Sequence, residues 1–458
     1  MSLIILLPGI VFFFYILVRK PEIIAVLLFT FIMAKINFDV KALPLNTKAL
    51  ITMALFGRIM VDKETRLQFS EFLGVPYVKL LIVFLVYVIF ISLWQDVFKV
   101  DFLKESIGDV MTTFCIYHFY FKLHAAKQLK AALIISGIIC FSDLVYTYVV
   151  FGSFPMHRIY YQISGLADSL AEEDLDEMAN WNYFGQMCGM GFVYILCDYV
   201  KNKSANKYTL WLLPVMLGGV MMSTSRSAIL ALLIISILII LNSINYQEQK
   251  KKLAKVGTFS IGVAVVSILL FASVGKYVNL NSKIVDEITS RLTQEPVAII
   301  QKAMGQSYNV NNLGSMDWRE ESAENAYIAY MNMDLNEQLF GIGSGGFEKR
   351  NLGHGFNAHN ATLLLLIENG IVGFCIYFLL VGGAIVQSIL WKNFSPSLAV
   401  ICFILIYGLG QNREWTSLIT YLFVINLATE VQYLRVEKRN RLNDVPPAGP
   451  TIKIENSP

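Results

Sequence analysis

The chain has 458 residues, of which 55% are hydrophobic and only 16% are charged. Such a chain is too apolar to be water-soluble at this size, because a soluble protein must cover its surface with polar atoms. The sequence therefore predicts an all-α polytopic membrane protein. The formal net charge of +3 is too small to suggest a nucleic-acid partner.

A helix needs about 20 apolar residues to cross the core of a bilayer. By that measure we expect about 12–13 transmembrane helices. The candidate spans lie near residues 3–18, 23–36, 48–61, 79–95, 107–121, 130–151, 183–199, 208–223, 226–242, 256–275, 361–390, 397–411 and 416–434. The first apolar run lacks a basic leader and a small-residue cleavage site, which favours a retained span over a signal peptide.

The distribution of Lys and Arg predicts the orientation of these spans. Short basic connections, expected to face the cytoplasm, occur at 122–130, 201–207, 247–255 and 435–441. The opposite connections include an acidic loop at 166–180 and one long polar segment. We therefore predict four parts: N-terminal transmembrane helices over 1–275, a large periplasmic loop over 276–358, C-terminal transmembrane helices over 359–436, and a disordered cytoplasmic tail over 437–458.

The predicted loop contains a helix-like stretch that runs into the glycines Gly341, Gly343, Gly345 and Gly346. Glycines let a backbone approach a ligand closely and present N–H groups to an anion. They equally allow a tight turn. Both interpretations stay open at this stage.

A polar group of residues, "NAHN" at 357–360, comes directly before an apolar span. His359 there is a candidate general base, since a histidine titrates near neutral pH. The alternative is that Asn357 or Asn360 caps the following helix and His359 has no chemical role. His354 lies five residues before His359, which is not the i, i+4 spacing of a helical zinc site, so no metal is expected.

Three arginines are candidates for binding an anionic group. Arg226, in "MMSTSRSAILALL", lies between two apolar spans, where its charge is costly without an anionic partner unless the side chain reaches the headgroups. Arg319 stands beside acidic residues in "DWREE", and Arg291 is the third candidate. Lys35, Arg58, Asp143 and Glu368 are charged residues within apolar stretches, and such residues are functional candidates without an assigned role.

Four of these motifs, taken in chain order, resemble the O-antigen ligase and polymerase superfamily of bacterial membrane glycosyltransferases. The motifs are "NWNYFGQMCGMGF", "STSRSAILAL", "LFGIGSGGF", and "HN" followed after nine residues by Gly370 and after two more by Gly373. They cover roughly residues 180–375. Together they are more specific than any one of them alone.

The resemblance implies a GT-C-like bundle of about a dozen helices with one large periplasmic loop. It implies that His359 is the catalytic base or orients the acceptor, and that Arg226 binds a diphosphate. Arg319 is the preferred match to the family's loop arginine, but Trp318 precedes it where the family has a tryptophan after the arginine, so Arg291 is the substitute. Asn182, Asn360 and the loop glycines Gly341, Gly343 and Gly345 are the remaining expected site residues.

The implied reaction transfers an oligosaccharide from undecaprenyl diphosphate to a sugar hydroxyl, of lipid A–core or of a growing chain, at the periplasmic face of the inner membrane. We expect an inverting transfer without a metal or other cofactor, with membrane lipid as the only further partner. Protein O-oligosaccharyl transfer is an alternative within the same superfamily. A polysaccharide flippase or other transporter is the alternative outside it, and would predict internal repeats that the sequence lacks.

Overall fold

A computed structural model describes the following residues: 13–33, 47–61, 72–98, 107–108, 110–115, 118, 126–151, 181–201, 207–223, 225–244, 246–258, 297–298, 301, 304–305, 316–352, 360–391, 394–409 and 418–443. Every regular element in these ranges is a helix. The prediction of an all-α protein is therefore confirmed.

The transmembrane region accounts for most of the helices. Before the loop these are α1 (Pro21–Met33), α2 (Thr47–Val61), α3 (Pro76–Trp94), α4 (Ala126–Phe151), α5 (Trp181–Lys201), a 3-10 turn (Lys207–Trp211), α6 (Leu212–Met222) and α7 (Arg226–Ile244). The loop contains α8 (Met316–Met331), α9 (Leu335–Phe340) and α10 (Gly346–Lys349), and the chain continues with α11 (Ala361–Leu390), α12 (Pro396–Gly408) and α13 (Leu418–Asn443).

Ten of the thirteen predicted spans contain one of these helices. By length and composition α3, α7 and α11 are long and apolar enough to cross a membrane, and five other described helices contain apolar stretches of 10–17 residues. The chain is therefore a polytopic membrane protein. The other three predicted spans, 3–18, 107–121 and 256–275, lie wholly or partly outside the described residues, so the total of 12–13 stays a prediction.

The last helix extends further than the predicted domain boundary. The disordered tail was expected from residue 437, whereas α13 continues to Asn443. Its final turns, "RVEKRNR", contain Arg, Lys and Glu, which favour helix even where no apolar face is buried.

The helix α5 lies at the centre of the bundle and packs against α4, α6, α7 and α12. Its glycines permit this close packing, as small residues do between membrane helices. A Cβ atom at Gly185 would lie 2.3 Å from Oγ of Ser223, and one at Gly189 would lie 2.3 Å from the ring of Phe403. The segment "GQMCGMG" therefore brings several neighbours into contact with one helix.

The helix α11 is interrupted at Gly370, whose φ of 62° and ψ of −177° are not helical. The 20 residues from 371 to 390 are by themselves long enough to cross the bilayer core. The preceding residues, 361–369, form a separate short helical segment.

Two apolar clusters hold the described residues together. The larger cluster runs through the transmembrane helices. The smaller one joins the loop helices to the first segment of α11, and its buried members are Ala326, Tyr330, Ile342, Phe347, Leu364 and Ile367. The loop is therefore packed onto the start of α11 through its own small core.

Candidate active site at the loop end of the bundle

The directions of the helices define one end of the bundle. Cys197 and Gly189 of α5 contact Phe394 and Phe403, so α12 runs antiparallel to α5. Because α12 follows α11 through a short connection, the start of α11 lies at the same end as the start of α5. We call this the loop end, since the loop helices pack on the start of α11 there.

Arg226 is the first residue of α7, at the loop end. The turn before it is held by its own serines: the Ser223 hydroxyl donates to the carbonyl of Val220 at 2.7 Å, and the Ser225 N–H donates to Oγ of Ser223 at 3.2 Å. Both serines are buried. The hydrogen bonds of Ser223 and Ser225 therefore fix where the backbone of Arg226 begins.

Asn182 lies close to the same turn. It is in the first turn of α5, three residues before Gly185, and residues three apart share a helix face. A Cβ atom at Gly185 would lie 3.0 Å from Cβ of Ser225. Asn182 and Arg226 therefore each lie within about one helical turn of the contact between Gly185 and Ser225.

Asn360 is the N-cap of α11. Its side-chain oxygen accepts the N–H of Leu363 at 3.1 Å, and its backbone is extended, with φ −142° and ψ 106°. The capping interpretation of Asn360 is therefore confirmed. His359, the residue directly before this cap, lies outside the described residues.

The structure gives little information on the two loop arginines. Arg319 is in the first turn of α8, but the structure does not describe its side chain. Arg291 lies outside the described residues. Their roles stay predictions.

The N–H groups of residues 341–346 are all used within the protein. Residues 341, 342 and 343 donate to the carbonyls of Glu337, Ile367 and Glu368, in that order. Residue 344 donates to Oγ of Ser92, residue 345 to Oε1 of Glu368, and residue 346 to the carbonyl of Gly343. All six distances lie between 2.7 and 3.2 Å. A segment whose donors are all occupied does not offer N–H groups to an anion. This geometry supports the turn interpretation of the loop glycines.

At two of these positions only glycine fits, because φ is positive and neighbouring atoms lie too close for a Cβ atom. Gly341 has a φ of 88°, and a Cβ atom there would lie 2.3 Å from the carbonyl oxygen of Glu368. Gly343 has a φ of 82°, and its Cβ atom would lie 2.9 Å from Cα of Ser92. Gly345 has a φ of 80° but meets no atom within 4 Å.

The interruption at Gly370 provides the partners for this segment. A break in a helix frees backbone carbonyls, which must find other donors when they are buried. Those of Ile367 and Glu368 accept N–H groups of the glycine segment, at 3.2 and 2.9 Å. The Tyr87 hydroxyl of α3 lies 2.9 Å from the carbonyl of Asn369 and 2.8 Å from that of Phe340.

Glu368 and Tyr87 are residues whose roles sequence reasoning missed. Glu368 was noticed only as a charge in an apolar stretch; it is 5% exposed and accepts the N–H of Gly345 at 2.8 Å. No local pattern distinguishes Tyr87 from other tyrosines in apolar helices. We call Tyr87, Glu368, Gly370 and the segment 341–346 the interlock.

Polar side chains extend the interlock to the end of α3. Gln95 donates to the carbonyl of Gly341 at 3.1 Å and accepts from Arg350 at 3.0 Å. Arg350 also pairs with Glu337 at 2.6 Å. The loop is thus attached to two transmembrane helices, α3 and α11.

One comparison with known proteins finds a family for part of the chain. Residues 211–378 match the family model described as O-antigen ligase, which confirms the resemblance found in the sequence. The matched range includes Arg226, the interlock glycines and the cap at Asn360. No curated protein matches the chain.

Proposed function

We propose, from the O-antigen ligase domain that the chain carries over residues 211–378, that it transfers an undecaprenyl-diphosphate-linked glycan to the hydroxyl of an acceptor sugar. The match of residues 211–378 to the O-antigen ligase family model is the observation that carries the proposal. The acceptor is a lipid A–core sugar or a growing chain. The product belongs to the surface polysaccharides or lipopolysaccharides.

Arg226 is proposed to bind the diphosphate of the donor. Negative charge grows on the leaving diphosphate during transfer, and a guanidinium group stays charged and bonds phosphate bidentately. The support is the position of Arg226 at the start of α7, fixed by the hydrogen bonds of Ser223 and Ser225. A lipid anchor holds the diphosphate at the membrane edge, which is where a residue that begins a spanning helix stands.

His359 is proposed to be the general base that takes the proton from the acceptor hydroxyl. General-base catalysis contributes typically about 10²–10⁴-fold to a rate. The support is that the next residue, Asn360, caps α11, the helix whose first segment the interlock joins to the loop. Asn360 serves this role by fixing the end of the helix.

The remaining site residues complete the proposal. Asn182 would contact sugar or phosphate near Arg226, and Arg319, with Arg291 as the substitute, would bind the diphosphate from the loop. The glycines Gly341, Gly343 and Gly345 would act by positioning the loop, because their N–H groups are occupied. The transfer would be a single inverting displacement that needs no metal.

We test the proposal with His359→Ala and Arg226→Ala in purified protein supplied with an undecaprenyl-diphosphate-linked oligosaccharide and candidate acceptors. His354→Ala is the matched histidine control, five residues away. Arg226→Lys keeps the charge but loses the bidentate geometry. We expect transfer, followed by mass spectrometry, to be lost in both alanine variants, reduced in Arg226→Lys and unchanged in His354→Ala.

The acceptor that is consumed identifies the enzyme. Transfer to lipid A–core indicates a ligase, extension of a lipid-linked repeat indicates a polymerase, and transfer to a protein hydroxyl indicates an O-oligosaccharyltransferase. Full transfer by the His359→Ala variant would contradict the assigned base. Absence of any transfer by the wild-type protein, with donor moved across a bilayer instead, would contradict the enzyme and favour a flippase.

A further inference from the structure

We propose that the C-terminal half of the loop helix α8 and the start of α9 rest on the bilayer, with Tyr327, Ile328, Met331 and Leu335 inserted among the lipids. This interaction surface, which we call the lipid-contact face, goes beyond the proposed function and does not depend on it. Its partner is phospholipid at the loop end of the bundle.

The four side chains are large, apolar and exposed. Their exposed fractions are 54% for Tyr327, 48% for Ile328, 55% for Met331 and 70% for Leu335. An isolated exposed apolar residue is ordinary, whereas four within nine positions of a polar loop form a patch that requires an apolar partner.

The other side of α8 is already used. Ser322, Ala326 and Tyr330, spaced four residues apart, are buried, and the last two belong to the small core on α11. Because opposite sides of a helix cannot face the same neighbour, the lipid-contact face points away from that core. The protein therefore holds α8 with this face turned outward.

The attachment of the loop to spanning helices indicates how deep in the membrane the lipid-contact face lies. The ring of Phe340, at the end of α9, lies 6.0 Å from the ring of Trp94, which ends α3 and is itself 61% exposed. Exposed tryptophans at the ends of spanning helices mark the membrane interface. Phe90 and Trp94 are exposed and in ring contact on one side of α3, as expected of a side that faces lipid, and Phe340 of α9 touches Trp94.

The first segment of α11 gives the same depth independently. Residues 371–390 suffice to cross the hydrocarbon core, so residues 361–369 stand at its boundary. Leu364 and Ile367 of this segment hold the core residues of α8. The loop helix thus lies at the level where the hydrocarbon meets the headgroups.

The exposed side of α8 is acidic in its N-terminal half and apolar in its C-terminal half. Glu320, Glu321 and Glu324 are exposed on the N-terminal half, and the apolar residues follow on the C-terminal half. Carboxylates are repelled by anionic headgroups, whereas apolar residues gain by entering the acyl boundary. An inclined helix, with only its C-terminal half in lipid, satisfies both halves.

The experiment places the photoreactive residue p-benzoylphenylalanine at Met331 or at Leu335 in the full chain, reconstituted in phospholipid nanodiscs. Glu324 provides the matched control on the exposed side of the same helix. Val386, 54% exposed on the spanning part of α11, provides the positive control for lipid contact. After irradiation, intact mass spectrometry measures the fraction of protein that carries a lipid adduct.

We expect adducts at Met331 and Leu335 at a yield close to that at Val386 and several-fold above that at Glu324. Yields at Met331 and Leu335 no higher than at Glu324, with Val386 still labelled, would overturn the proposal. So would cross-links from these sites to a second copy of the chain in place of lipid. Each variant replaces an exposed side chain, so retained thermal stability confirms that folding is unchanged.

Discussion

Single glycines in the loop differ in what surrounds them, although three share a positive φ. Gly341→Ala would place Cβ 2.3 Å from the carbonyl of Glu368, whereas Gly345→Ala would meet no atom within 4 Å. Both changes force an L residue to adopt a positive φ, which costs about 1–3 kcal/mol. Only the first adds a clash with backbone, which raises the expected loss to roughly 3–5 kcal/mol.

Thermal unfolding of the two variants in the same detergent measures this difference. We expect Gly341→Ala to unfold at a clearly lower temperature than Gly345→Ala, which in turn unfolds slightly below the wild type. Equal unfolding temperatures would mean that the contact between Gly341 and Glu368 does not exist in the folded protein.

At the residue scale, sequence reasoning found the positions but not their partners. The glycine cluster, Asn360 and Arg226 all drew attention through local patterns. The N–H groups of Gly341 and Gly346 bond to nearby carbonyls, whereas those of Gly343 and Gly345 both bond to Glu368, more than twenty residues away. Such pairings arise from tertiary packing, which one sequence does not reveal.

At the scale of elements, the interlock joins the loop to α11 through the Glu368 carboxylate. Glu368→Gln keeps an oxygen that accepts the N–H of Gly345, whereas Glu368→Leu leaves that buried donor without its partner, at a cost of about 1–3 kcal/mol. We expect the Leu variant to loosen the segment 341–346 and the Gln variant to preserve it.

Hydrogen–deuterium exchange of the loop peptides tests this expectation at the relevant bonds. Exchange in the peptide that contains Gly345 should rise in Glu368→Leu and stay near the wild-type rate in Glu368→Gln. A peptide from α5 provides the internal control, since this helix lies outside the interlock. A rise of equal size in both variants would indicate that the charge, and not the hydrogen bond, holds the segment.

The existence of most helices was predictable, and their internal geometry was not. Apolar runs of spanning length identified ten of the described helices, because hydropathy alone decides which segments enter a bilayer. The same criterion treated 361–390 as one span and missed the break at Gly370. That break is stable only because the glycine segment and Tyr87 satisfy the carbonyls it frees, and neither is adjacent in sequence.

At the scale of the whole molecule, the charge pattern predicts which end of the bundle faces the periplasm. Among the described residues, Lys130 pairs with Asp198 and Lys252 donates to the carbonyl of Tyr199, so these lysines lie at the end of α5 opposite the loop. Because Lys and Arg favour the cytoplasmic side, the loop end should face outward.

Two substituted cysteines test this orientation in intact cells with a membrane-impermeant maleimide. Met304→Cys, in the predicted periplasmic loop, should react in intact cells, and Glu248→Cys only after permeabilisation; both native residues are exposed. The unsubstituted protein gives the background from its own cysteines. Labelling of Glu248→Cys alone in intact cells would reverse the predicted orientation.

The source of energy separates the proposed enzyme from a transporter of similar size. A diphosphate-linked donor already stores the energy of transfer, so the reaction needs neither a nucleotide nor an ion gradient. We expect purified protein in detergent, where no gradient exists, to transfer the glycan at full rate. Treatment with a chelator should leave that rate unchanged.

The new glycosidic bond, analysed by NMR, should have the anomeric configuration opposite to that of the donor. Loss of transfer after chelation, restored by a divalent cation, would contradict the metal-independent mechanism, and a retained configuration would contradict the single displacement. Either result would still be consistent with a glycosyltransferase, because only a protein that leaves the donor chemically unchanged would be a transporter.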